Sequence, residues 1–146
     1  MHATTHVRSQ SLPERWLLYD ASKFTLGRMA SQIAMNLMGK DTPNYTASEK
    51  NGAFVIVINA DNVKTTGRKS EVKSYAHYTG YPGGHVEVAF EDLRERRSDE
   101  IVRQAVKRMV PKTTMGRDMM RRLKVYKTME HPHSAQQPVT VEKIRS

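Results

Sequence analysis

The sequence has no cysteine in its 146 residues, which excludes disulfides and thiolate-held zinc and permits a reducing compartment. It also has no apolar run near the ~18–20 residues of a membrane span. Residues 1–15 carry neither the apolar core of a signal peptide nor the Arg-rich character of a transit peptide. The expected location is therefore the cytosol, with no membrane partner. Catalytic signatures are equally scarce. Gly80–Gly84 does not match G-x-G-x-x-G, and neither G-x-x-x-x-G-K-[ST] nor G-x-S-x-G occurs. Nor is there an RNP1-like run, a G-x-x-G loop between helices or a zinc knuckle. Internal repeats and low-complexity segments are absent.

Acidic residues are scarce in one region only. Residues 1–50 hold 6 basic and 4 acidic side chains and residues 51–100 hold 7 and 8, but residues 101–146 hold 11 and 3. Almost all of the +9 net charge thus lies in the last third. That concentration points to a localised polyanion-binding footprint rather than to general solubility. Nine of these cations fall between Arg103 and Lys127, interleaved with apolar residues at helical spacing. Such a segment is folded structure, one face in a core and another toward a polyanion.

The length suits one domain, and 38% hydrophobic with 27% charged residues fits a globular chain. Residues 1–13 read as a flexible extension, residues 14–138 as a single α/β domain, and residues 139–146 as a frayed tail. Trp16–Tyr19 is a candidate buried strand. Leu26, Met29, Ala30, Ile33, Ala34, Leu37 and Met38 follow one apolar helical face, with Thr25 as N-cap and Gly39 as stop. Ala53–Ile58 is six apolar residues in a row, the mark of a parallel strand covered on both sides. Together these form a right-handed βαβ unit.

Beyond it come a basic loop at Thr66–Ser70, an alternating strand over Val72–Tyr78, the turn Gly80–Gly84 and a second alternating strand at His85–Ala89. A short helix over Phe90–Arg97 precedes a second one capped by Ser98 and ended by Pro111. A further helix near Met115–Lys124 turns Met115, Met119, Met120 and Leu123 inward, with Arg117, Arg121 and Lys124 on another face. Leu123–Tyr126 begins a final strand.

Asp20 and Asp61 follow parallel strands, the usual place for ligand-binding groups, but they serve equally as turn and capping residues. An α/β enzyme acting on a nucleotide or RNA, using Asp20 or Asp61 with a metal, is one alternative. His77, His85, His131 and His133 lack diagnostic metal spacing, so no metal and no cofactor is expected. Nucleic-acid binding has more support, because cations that neutralise phosphates lie beside Tyr and His that can stack on bases. The candidate contacts are Arg68, Lys69, Lys73, His77, Tyr78, Tyr81, Lys107, Arg108, Lys112, Arg117, Arg121, Arg122, Lys124, Lys127, His131 and His133. A helix-turn-helix on residues 98–124 is the other alternative. Its basic residues are spread over both helices and the link, which suits folded RNA better than a DNA groove.

Read together, WLLYDASKFTLGRMAS (16–31), FVIVINADNVKTTG (54–67), TGYPGG (79–84), VKRMVPKTTMGRDMMRRLKVYK (106–127) and HPHSAQQP (131–138) resemble the large-subunit ribosomal protein L-thirteen family. The resemblance covers about residues 15–138. It implies a non-catalytic protein bound to large-subunit rRNA beside neighbouring ribosomal proteins, with no small-molecule substrate and a part in early assembly. It also implies a three-layer α/β/α fold on a four-stranded, mostly parallel sheet, plus a basic helical C-terminal segment. The chain departs from the family pattern at Arg108 and Thr128, at Asp41 after Lys40, and at Asn51-Gly52-Ala53.

Overall fold

The computed structural model describes residues 6–144. Expectations for residues 1–5 and 145–146 lie outside the described residues. Strands β1 (Trp16–Asp20) and β2 (Phe54–Ile58) flank helix α1 (Leu26–Met38), the βαβ unit that the hydrophobic pattern predicts. Short helix α2 (Lys69–Val72), strands β3 (Ser74–Tyr78) and β4 (His85–Ala89), and helix α3 (Phe90–Lys107) follow. Helix α4 (Thr114–Arg121) then leads into β5 (Leu123–Val125), and β6 (Val139–Thr140) closes the list of elements.

The main sheet has the order β5-β2-β1-β6, with every pairing parallel. Its fourth strand comes from Val139–Thr140, in the segment that its polarity marks as a frayed tail. Two residues are too few to show a period, and their pairing to Leu17 and Leu18 is what makes them a strand. The part of the N-terminal extension that is described is also tied down. Ser9 N–H donates to Glu49 at 3.1 Å, and the Asn51 amide donates to the Val7 carbonyl at 3.3 Å.

The steps β1→β2 and β2→β5 cross the sheet in the same direction, so right-handed connections put their helices on one face. Leu17, Tyr19, Val55, Val57 and Leu123 point to that face and join Met29, Ile33 and Leu37 of α1 and Ile101, Val102 and Val106 of α3 in the main core. The return from β5 to β6 runs back across the sheet and covers the other face. There Trp16 stacks on Phe54 with ring centroids 4.5 Å apart, and His133 lies 5.4 Å from Trp16. The third layer is thus an irregular connection with one 3₁₀ turn at Ser134–Gln136.

Local details refine the sequence reading. Gly39 ends α1 in the left-handed conformation with φ 78°, where a side chain is strained. Thr25 stands at the N-cap, but its side chain makes no capping bond; a backbone bridge to Lys64 secures the helix start instead, with Leu26 N–H on the Lys64 carbonyl at 2.8 Å. Helix α3 breaks at Arg97 (φ −144°, ψ 66°), where the sequence separates two helices. Ser98 does not cap the second half. It is fully buried and donates its hydroxyl proton to the Asp61 carboxylate. The basic loop expected at 66–70 winds into α2 from Lys69, so β3 starts only at Ser74. Asp41, an acid at an otherwise basic position, forms a two-bond pair with Arg15 at 2.9 and 3.2 Å.

Candidate nucleic-acid interface

Three distant segments meet in one cleft of about 1290 Å³. The first turn of α1 supplies Arg28, the loop and helix of residues 65–73 supply Arg68, Lys69 and Lys73, and the end of α3 supplies Arg108. None of the lining residues is acidic. The bridge between Thr25 and Lys64 fixes the 65–73 segment beside α1, and α3 packs across both. Five cations with no acid on the lining itself make a positive concavity.

The electrostatic strain shows at Lys73. Burial, and then the charges of Arg108 and Lys69, push its amine below the ordinary lysine range. Its Nζ sits 5.2 Å from the centroid of the Tyr75 ring, a cation–π contact. Burial raises the Tyr75 hydroxyl, opposed by Arg108. Among the described residues Arg68 is the one cleft cation with an ion pair, to Glu71 at 3.3 Å, and both partners are largely exposed, so the pair is weak.

Next to the cleft stands the β3–β4 ribbon, antiparallel from Ser74↔Ala89 to Tyr78↔His85 and separate from the main sheet. Tyr75 anchors it, buried against Phe90 with centroids 6.4 Å apart. His77, Tyr78 and Tyr81 are exposed along the ribbon and its tip, Tyr81 at 75%. These rings are free to stack on a partner.

A second basic group lies around α4. Thr113 caps that helix by accepting the Gly116 N–H at 3.2 Å. Met119 and Leu123 are buried, while Lys107, Lys112, Arg117 and Arg121 are exposed and Lys124 is half-buried. Asp118, the acid in this stretch, is drawn away by Lys50, whose ammonium bonds it and holds its carboxyl below the usual range. It also receives Arg121 at 3.2 Å.

Other candidates have protein partners. The Arg122 guanidinium donates to the carbonyls of Lys50 (2.9 Å) and Gly52 (2.7 Å) and lies 5.1 Å from the Phe54 ring centroid. Lys127 donates to the Arg96 carbonyl at 2.8 Å. His133 shares a 2.8 Å hydrogen bond with the Tyr126 hydroxyl, and the His133 N–H donates to His131 Nδ1 at 3.2 Å. The two histidines therefore help to pack the third layer.

The carboxylates at the strand ends are occupied too. Asp20 accepts from the Ser22 N–H (3.0 Å), the Ser22 hydroxyl (2.7 Å) and the Asn59 amide (3.0 Å). Burial, which would raise its carboxyl, is outweighed by these bonds, and its pKa is lowered. Asp61 holds Ser98, and its carbonyl accepts from Arg94 Nε at 2.8 Å. Among the described residues no three His, Cys, Asp or Glu side chains gather as a metal site.

Sequence reading misses Arg28. The residue lies off the apolar face of α1, and no local signal places it beside Arg68 and Arg108, which are 40 and 80 positions away. Only the bridge to Lys64 and the packing of α3 do so.

The family model described as Ribosomal protein L13 matches residues 14–132. Relatives named "Large ribosomal subunit protein uL13" align along nearly the whole chain. The one from Thermosipho africanus (strain TCF52B) is 46% identical over 136 residues, 93% of this chain and 91% of its own. That from Thermotoga petrophila is 45% identical over 139 residues, covering 95% and 93%. That from Ruthia magnifica subsp. Calyptogena magnifica is 43% identical over 139 residues, covering 95% and 98%.

Proposed function

The chain belongs to the ribosomal protein L13 family, and from that premise we propose that it is a non-catalytic constituent of the large ribosomal subunit that binds large-subunit rRNA. It works in the cytoplasm, within the ribosome and beside other large-subunit proteins, and supports early assembly of the subunit. The observation that carries the RNA contact is the convergence of Arg28, Arg68, Lys69, Lys73 and Arg108 on one acid-free cleft. Phosphates neutralise such a cluster and release counterions on binding. The exposed face of α4, with Arg117 and Arg121 and with Lys124 just beyond, extends the footprint, and the ribbon aromatics stack on unpaired bases.

The reading as an enzyme working through Asp20 or Asp61 has less to stand on, because both carboxylates already accept bonds from the protein's own groups. The test is competition at matched salt between large-subunit rRNA and duplex DNA, with co-sedimentation on large subunits through a high-salt wash. Strong preference for rRNA is expected. With about six phosphates neutralised, log K against log salt slopes at about −4 to −5. A flat salt response, or equal affinity for DNA, overturns the proposal.

A further inference from the structure

The cleft holds more than phosphate neutralisation requires. Its lining includes the apolar side chains of Leu26, Val72, Tyr75, Ala105 and Met109. Val72 is 75% exposed and Met109 42%, so two large apolar groups stand in water at the rim of one basic concavity. A concave site with exposed apolar walls is suited to an apolar or aromatic guest. Tyr75 is the opposite case. It is 7% exposed, and its buried hydroxyl has no hydrogen-bond partner among the described residues. That hydroxyl lies out of a guest's reach, so Tyr75 serves the cleft as part of its apolar floor.

Resting on the rRNA-binding reading above, we propose that this cleft receives one unpaired nucleotide extruded from the rRNA, with its base on the apolar wall and its flanking phosphates on the basic rim. A nucleotide joins a flat heterocycle to an anion within a few ångströms, which is the juxtaposition that Tyr75, Val72 and Met109 make with Lys73 and Arg108. The volume of about 1290 Å³ accommodates the whole nucleotide, since sites for small organic ligands run to roughly 300–1,000 Å³. An RNA helix held by its backbone alone would use the cations and leave the apolar wall wet. An acidic peptide would satisfy the charge but gives no flat ring for the wall.

The test uses the full chain and a large-subunit rRNA fragment substituted with 4-thiouridine, photo-crosslinked and mapped. The expected result is a crosslink from one unpaired nucleotide to the peptide containing Val72 and Tyr75 or to that containing Met109. Replacing the two exposed side chains together (Val72→Ser with Met109→Ser) removes no charge. It is expected to weaken rRNA binding about tenfold while leaving the salt slope unchanged. If rRNA binds with the expected salt slope but the cleft peptides crosslink only to base-paired nucleotides, or the Val72→Ser, Met109→Ser double variant binds rRNA as tightly as the wild type, the nucleotide site is overturned and the rRNA-binding reading stands. Protection of the cleft by a neighbouring ribosomal protein in the assembled subunit overturns it in the same way. If the chain does not bind rRNA at all, both readings fall.

Discussion

The Asn36 amide donates a 2.6 Å hydrogen bond to the Tyr19 hydroxyl across the main core, between two side chains that are 4% and 0% exposed. It ties α1 to β1 at the centre of the βαβ unit. Burial, only partly offset by this bond, pushes the Tyr19 phenol up to about 12 from 10.0. The folded state therefore keeps a proton that the unfolded chain gives up. The stabilisation is fully present below pH 10 and is lost as pH rises from 10 toward 12. Alkaline denaturation followed by circular dichroism should show stability falling across that window. Tyr19→Phe should flatten the fall, while costing about 1–3 kcal/mol at pH 7 because the Asn36 amide loses its acceptor.

Gly116 comes so close to Pro111 that an added Cβ would lie 1.8 Å from the Pro111 carbonyl oxygen. The obstruction is backbone, so it cannot rotate away. Gly116→Ala is expected to displace α4 and lower stability by about 1–3 kcal/mol in urea titration. It should also weaken rRNA binding although no charge is removed, since α4 sets where Arg117 and Arg121 point. An unchanged unfolding midpoint would show that the link between α3 and α4 yields freely.

Asp20 supplies the acceptor for Ser22 and for Asn59, which holds an unusual positive φ of 57°. Its folded pKa lies below 3.8, so its contribution is present above that pH and is lost as pH falls through the folded value. Asp20→Ala should cost about 1–2 kcal/mol at pH 7 by orphaning those donors. The difference from wild type should shrink in acid unfolding below about pH 4. A catalytic Asp20 would instead leave stability nearly unchanged on substitution and abolish a turnover.

The elements legible in the sequence were those with a long period or a long run. Seven apolar residues at helical spacing announce α1, and Ala53–Ile58 announces β2, because each buries a face large enough to leave a pattern. The ribbon is legible from its alternation around Gly80–Gly84. What stays hidden depends on partners distant in the chain. Val139–Thr140 becomes a strand only because β1 offers an unpaired edge, and Ser98 is drawn from capping to Asp61, 37 residues earlier. The cleft shows the same division. Arg68, Lys69 and Lys73 form a visible cluster, but their meeting with Arg28 and Arg108 is a product of packing.

Arg122 and Arg117 look equivalent in the sequence, two arginines within one basic stretch, yet the fold separates their roles. Arg122 bonds two backbone carbonyls and lies over Phe54, so its guanidinium links the start of β5 to the turn before β2. Arg117 is exposed on α4 and makes no hydrogen bond or ion pair through its side chain among the described residues. Arg122→Lys keeps the charge but loses the planar guanidinium that lies over Phe54 while its Nη1 donates to both carbonyls, and should lower folding stability by about 1–3 kcal/mol with little change in the salt slope of rRNA binding. Arg117→Gln should do the reverse: a stability change within about 0.5 kcal/mol, and a slope reduced by roughly 0.7–0.9 for one lost phosphate. Urea denaturation and filter binding across a salt series, run on both variants, separate the two effects. If Arg122→Lys left stability intact while Arg117→Gln unfolded the chain, the division between the half-buried anchor and the exposed contact would be wrong.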